Sequence, residues 1–201
     1  MAFSITAKSG TDLWRKPPST DVYNGQWPSP TAAHENSVIK NPLKEFVSAT
    51  VSFRFTPQTR YDQAGIVLAL YPTDSAATTS TPPKWIKTGI EYYQDALYFG
   101  TVGTDAYSDW SISPVSAEPS TEFVAGETWA TLSVEKNVDE LGDSLWVYQV
   151  VGERKLPLRE INWPFGYGDA WDVQVEAYAA KPGEGEPLTV EFKDFAIKWN
   201  S

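Results

Sequence analysis

A chain of 201 residues with 16 Lys and Arg against 26 Asp and Glu carries a net charge of −10, which disfavours phosphate backbones and anionic lipid surfaces, since both reward clustered basic residues. Cysteine is absent, which excludes disulfides, thiolate metal sites and cysteine nucleophiles and fits a reducing compartment, here expected to be the cytoplasm. Nine Trp, ten Tyr and nine Phe supply core for one β-sandwich or barrel spanning 1–201, with no secretion signal expected in the first 16 residues and no apolar run long enough for a membrane span.

Residues 3–7 alternate and predict a first strand. Prolines are then scattered through 17–42, so this stretch is expected to wrap over one end of the sandwich, anchored by Trp14, Tyr23 and Trp27; residues 14–17 are expected as a rim over one sheet. The sole histidine, His34, lies in a loop-like run and reads as an exposed bystander, leaving histidine-dependent catalysis and a His-based zinc site without support. Strands are predicted at 49–55, 65–71, 85–93, 96–102, 128–135, 144–151, 171–180 and 188–199, separated by Gly-, Pro- and Asp-rich turns. Residues 72–83 are of low complexity and are expected to form a mobile loop between two strands; 108–110 read as a turn and 156–161 as a short helical turn.

Successive side chains of a strand point to opposite faces, so each run splits into two sets. Ile86, Thr88, Ile90 and Tyr92 form a core set, opposed by Trp85, Lys87, Gly89, Glu91 and Tyr93. In the same way Val51, Phe53 and Phe55 oppose Arg54 and its alternate neighbours; Ile66, Leu68 and Leu70 oppose Gln63, Gly65 and Val67; and Val173, Val175 and Ala177 oppose Gln174, Glu176 and Tyr178. If these strands share a sheet, one face gathers Arg54, Gln63, Lys87, Glu91 and Glu176 with several aromatics. Together with Trp110 these are the expected ligand-binding residues. Charges interleaved with aromatic rings suit a sugar, whose CH faces stack on the rings while its hydroxyls hydrogen-bond the polar groups. For any one charged residue a solvated outer face is the plainer account. Glu91 and Glu176 are also the candidate acid and base of a glycoside-cleaving pair, although an ion pair with Arg54 or Lys87 would use the same residues.

The segments YDQAG at 61–65, KWIKTGIEY at 84–92 and YSDWS at 107–111, with TDLWRKP at 11–17, DSLWVY at 143–148, PLRE at 157–160 and VEFKDF at 190–195, resemble the concanavalin A-like family of largely uncharacterised proteins that includes the fungal regulation-of-enolase protein. The resemblance covers nearly the whole chain. It implies an all-β jelly-roll sandwich of two antiparallel sheets, one of them concave, and a link to a glycolytic enzyme, with no catalytic residues to carry across. The calcium and manganese site of concanavalin-type lectins has no counterpart, since Asp105, Asp109 and Asp169 are scattered; neither metal nor cofactor is expected. Three functions remain open: a cytosolic binding or regulatory protein of carbohydrate metabolism holding a sugar or sugar-like metabolite on the concave sheet; a carbohydrate-active hydrolase or lyase with paired carboxylates; and an interaction module for a partner such as enolase. No nucleic acid or membrane partner is expected.

Overall fold

The computed structural model describes residues 1–28, 40–74, 81–115 and 124–200. His34 and the middle of the 72–83 loop lie outside the described residues. Along the chain run β1 (Ala2–Ala7), β2 (Leu13–Lys16), β3 (Thr20–Tyr23), β4 (Asn41–Pro42), β5 (Phe46–Arg54), β6 (Gln63–Pro72), β7 (Lys84–Tyr93), β8 (Ala96–Thr104), β9 (Ser108–Pro114), β10 (Ala130–Asp139), β11 (Gly142–Val151), β12 (Arg154–Ile161), β13 (Trp171–Ala180) and β14 (Leu188–Trp199). Two six-stranded antiparallel sheets result: a back sheet ordered β1-β14-β5-β10-β11-β12 and a front sheet ordered β4-β13-β6-β7-β8-β9. This is the jelly-roll sandwich that the alternating runs and the resemblance imply.

Between the sheets lies the main core, because the apolar set of each strand turns inward. Val51, Phe53, Leu132, Val134, Val190 and Phe192 of the back sheet pack against Ile66, Leu68, Leu70, Ile86, Ile90, Val173 and Val175 of the front. Each such side chain, fully buried, contributes about 1.5–3 kcal/mol relative to exposure. The β7–β8 connection is a two-residue turn in which Gln94 and Asp95 both have positive φ, 48° and 58°, as a tight hairpin matching the strand twist requires.

Three expectations need correction. The segment expected as a helical turn is strand β12, joined to β11 through Gly152 at φ 59°. Its Pro157 looks like a strand breaker, but β12 is an edge, where a missing N–H is tolerated, and Pro157 sits beside a register shift at Val147/Tyr148. The segment read as a turn at 108–110 opens β9, an edge strand of the front sheet, whose polar residues suit an edge. Finally, β5 pairs with β10 and β14, not with β6 or β7, so Arg54 belongs to the back sheet.

The N-terminal segment leaves β1 in the back sheet and crosses onto the outer face of the front sheet. It is tied there by bridges Ser9–Lys181 and Gln26–Ala179 and folds into the β2–β3 hairpin. Leu13 joins Val67, Trp85, Val102, Tyr178 and Ala180 in a second, smaller core walled by Trp14, Tyr23, Trp27 and Trp110. Trp85, on the face opposite the main core, is therefore 0% exposed.

Candidate functional site

Register fixes which side chains stand together on the outer face of the front sheet. Across β13, β6, β7, β8 and β9, one row reads Glu176, Val67, Lys87, Val102, Trp110. Two residues further along, the next row on the same face reads Tyr178, Gly65, Gly89, Gly100, Ile112, and the third reads Ala180, Gln63, Glu91, Tyr98, Pro114. The middle row lacks a side chain on three consecutive strands, and that gap makes a trough between the Lys87 and Glu91 rows.

The three glycines are required for different reasons. A Cβ on Gly65 or Gly89 would meet a backbone oxygen at 2.0 Å, Thr88 O and Ala64 O respectively, so β6 and β7 are pressed together there. A Cβ on Gly100 would instead sit 3.2 Å from Glu91 Oε2 and 3.5 Å from Trp110 Nε1. Gly100 is the floor of the site.

Above this floor is a cleft of about 250 Å³. Asp12, Trp14 and Lys16 of the N-terminal segment form one side, Tyr61 from the loop before β6 another, and Lys87, Glu91 and Trp110 rise from the sheet. Lys87 is buried yet compensated: its Nζ donates to Gln63 Oε1 at 2.6 Å and lies 3.5 Å from Asp12 Oδ1. Gln63 Nε2 in turn donates to Asp12 Oδ1 (3.2 Å) and to the Tyr61 carbonyl (3.1 Å), while the Tyr178 hydroxyl donates to Gln63 Oε1 (3.3 Å) and the Leu13 N–H to Asp12 Oδ1 (2.7 Å). A buried charge without such partners would be costly. With them the group is rigid and oriented.

Glu91 is 8% exposed. Burial pushes its carboxyl above the ordinary range; Lys87 pulls it back down, the Asp12 charge pushes it further up, and the Trp110 indole lowers it slightly. Trp110 Nε1 is buried beside the Glu91 carboxyl above Gly100, close enough to lower its pKa though short of full hydrogen-bond geometry.

Aromatic rings complete the wall. Tyr61 has φ 71°, a conformation an aromatic residue seldom adopts. It is held by its N–H donating to Tyr92 O (2.7 Å), by stacking on Tyr93 (5.6 Å between centroids) and by an edge contact with Trp110 (6.3 Å). Next to it, Asp62 is 0% exposed, accepts from the N–H groups of Gln58 and Thr59 (2.8 and 3.0 Å) and from the Thr59 hydroxyl (2.8 Å), and pairs with the equally buried Lys181 at 3.3 Å. The loop presenting Tyr61 is thus pinned to the end of β13.

Of the residues expected to bind ligand, Lys87, Glu91 and Trp110 line this cleft and Gln63 lies beneath it. Glu176 shares the face but sits near Tyr23 and Tyr71, and its burial raises its pKa from 4.5 to about 7. Two strand spacings and four residues separate it from Glu91, roughly 16 Å between Cα positions. Arg54 is on the back sheet, where its Nε donates to Glu191 Oε2 at 2.6 Å and its guanidinium covers Trp129; charge alternation along β5 indicated a face but not a sheet. Asp12 and Tyr61 were missed as binding residues. Their only signal was membership in the TDLWRKP and YDQAG segments. Among the described residues no group of three His, Cys, Asp or Glu side chains could hold a metal ion.

Residues 1–199 match the model of a family described as protein of unknown function, DUF1349. The chain belongs to the DUF1349 family. An uncharacterised protein of Emericella nidulans is 36% identical over 198 residues, covering 98% of this DUF1349 chain and 86% of that protein. A functionally unknown protein from Saccharomyces cerevisiae is structurally similar, with TM-score 0.69 and 19% identity over 100% of this chain and 89% of the other. The GH43 protein BlXynB of Bacillus licheniformis gives TM-score 0.58 and 16% identity over 90% of this chain and 33% of its own. The laminarinase catalytic domain of Thermotoga maritima gives 0.51 and 11% over 100% and 78%. At such identities the likeness concerns the fold, a concanavalin A-like sandwich. No helix among the described residues of this DUF1349 protein is long and apolar enough to cross a membrane.

Proposed function

We propose that this DUF1349 protein is a cytosolic saccharide-binding protein whose ligand occupies the cleft over Gly100. The observation that carries this is the combination around one cleft: aromatic rings of Trp14, Tyr61 and Trp110 beside the oriented ammonium of Lys87 and the carboxyls of Asp12 and Glu91. Rings offer a surface to sugar CH groups, and the fixed polar groups select hydroxyls. The lack of cysteine supports the cytosolic part. Fold neighbours such as the laminarinase catalytic domain add a carbohydrate setting by analogy only. Binding is the reading taken because Glu91 lines the cleft while Glu176 stands outside it, near Tyr23 and Tyr71.

Titration calorimetry against mono- and oligosaccharides and sugar phosphates tests it. Binding that is lost in Lys87→Met and Trp110→Ala and retained in Glu176→Gln is expected. No heat at millimolar ligand, or binding indifferent to both cleft substitutions, would overturn it. A regulatory role toward a glycolytic enzyme is the finer part of the proposal; capture of purified enolase by the immobilised protein, altered by the bound saccharide, checks that part separately.

A further inference from the structure

The trough is shut at one end. Past Gly65 its row ends at Tyr178, 2% exposed. Over that residue the second core closes with Leu13, fully buried, and the main chain is locked by paired hydrogen bonds between Gln26 and Ala179 at 2.8 and 3.0 Å. Asp12, which faces the cleft, is fixed to the same closure through the Leu13 N–H and Gln63. A polymer crossing the sheet would have to displace this packed segment.

Toward the β7–β8 turn the situation differs. Beyond the Tyr61–Tyr93 pair lies a second depression lined by Arg60, Tyr93 and Gln94 among others, and the Arg60 guanidinium lies over both tyrosine rings at 4.5 and 4.9 Å. The first cleft, at about 250 Å³, is smaller than the ~300–1,000 Å³ usual for a drug-sized ligand, so it takes a short piece of ligand rather than a chain. Tyr93 meets Trp110 edge-on at 5.3 Å, which makes the aromatic ridge continuous from one depression to the other.

Resting on the saccharide reading, we propose that the protein recognises the end of a saccharide chain. The terminal unit sits on the Gly100 floor against the closed side, and the following units leave over Tyr61 and Tyr93 into the second depression. A chain that enters over Tyr61 and Tyr93 ends against Tyr178, so the unit on the Gly100 floor is its last and not an internal one.

Chain ends and chain mass are separable by competition. Soluble starch, laminarin and xylan are each offered intact and after partial hydrolysis, as competitors against an oligosaccharide found to bind by calorimetry. End recognition predicts that a polymer cut to a tenth of its length competes about tenfold more strongly per gram, since the free concentration of ends sets occupancy. Potency per gram that is unchanged or lower after hydrolysis would overturn end recognition and leave saccharide binding standing. If no oligosaccharide, polymer or hydrolysate binds, saccharide binding itself falls and this inference with it. As a second readout, binding of an oligosaccharide should be abolished in Gly100→Leu, which fills the terminal position, while the thermal transition stays cooperative. Retained binding in that variant would also count against the placement.

Discussion

Gly100 and Gly65 occupy one row of the front sheet, yet substitution should affect them in opposite ways. A methyl at Gly100 meets only side chains, Glu91 Oε2 at 3.2 Å and Trp110 Nε1 at 3.5 Å, and no backbone, so Gly100→Ala is expected to keep its fold and lose ligand affinity in calorimetry. A methyl at Gly65 meets the Thr88 carbonyl at 2.0 Å; Gly65→Ala is expected to cost about 3 kcal/mol in urea unfolding, at the top of the overpacking range. Glu176 offers a test by pH. Its folded pKa of about 7 lies above the ordinary 4.5 because of burial, so the folded state holds the proton more tightly than the unfolded. The stabilisation from that proton is complete below about pH 4.5 and is lost as pH rises through 7, a contribution on the order of 3 kcal/mol. Glu176→Gln should therefore melt above the wild type at pH 8, and the gap should close by pH 4.5.

The β2–β3 hairpin is the element that turns an outer sheet face into a site. Leu13 is its fully buried anchor in the second core, beside the partly buried Trp14 and Tyr23, and Leu13→Ala is expected to cost about 2–4 kcal/mol by the usual scale for buried leucine truncation. Chemical denaturation would measure the loss, and weakened saccharide binding should accompany it because Asp12 shifts with its neighbour. Much of the front face was legible from the chain: alternation within 85–93 placed Lys87 and Glu91 together, and the neighbouring runs placed Gln63 and Glu176 on the same side. Arg54 was not legible, since periodicity says which way a side chain points and nothing about which strands pair. Nor was the covering of Trp85, which depends on a segment some seventy residues earlier folding over it.

At the scale of the whole molecule, Asp62 and Lys181 join the loop before β6 to the end of β13 by a pair with no solvent access. Lys181→Met leaves Asp62 buried without its counter-charge and should cost about 3–5 kcal/mol, with partial recovery on adding Asp62→Asn; equilibrium unfolding of the single and double variants checks both. The YDQAG segment announced Asp62 but not its partner, because Lys181 is far away in sequence and sits among Pro- and Gly-rich turn residues. The same dispersion has a kinetic consequence. The cleft draws on positions 12, 61, 87, 91 and 110, so its halves meet only after the sheets and the N-terminal segment are in place, late on the folding route of a topology dominated by non-local contacts. A molecule bound in the cleft finds nothing to grip in the transition state. It should lengthen the lifetime of the native protein by slowing unfolding while leaving the refolding rate untouched.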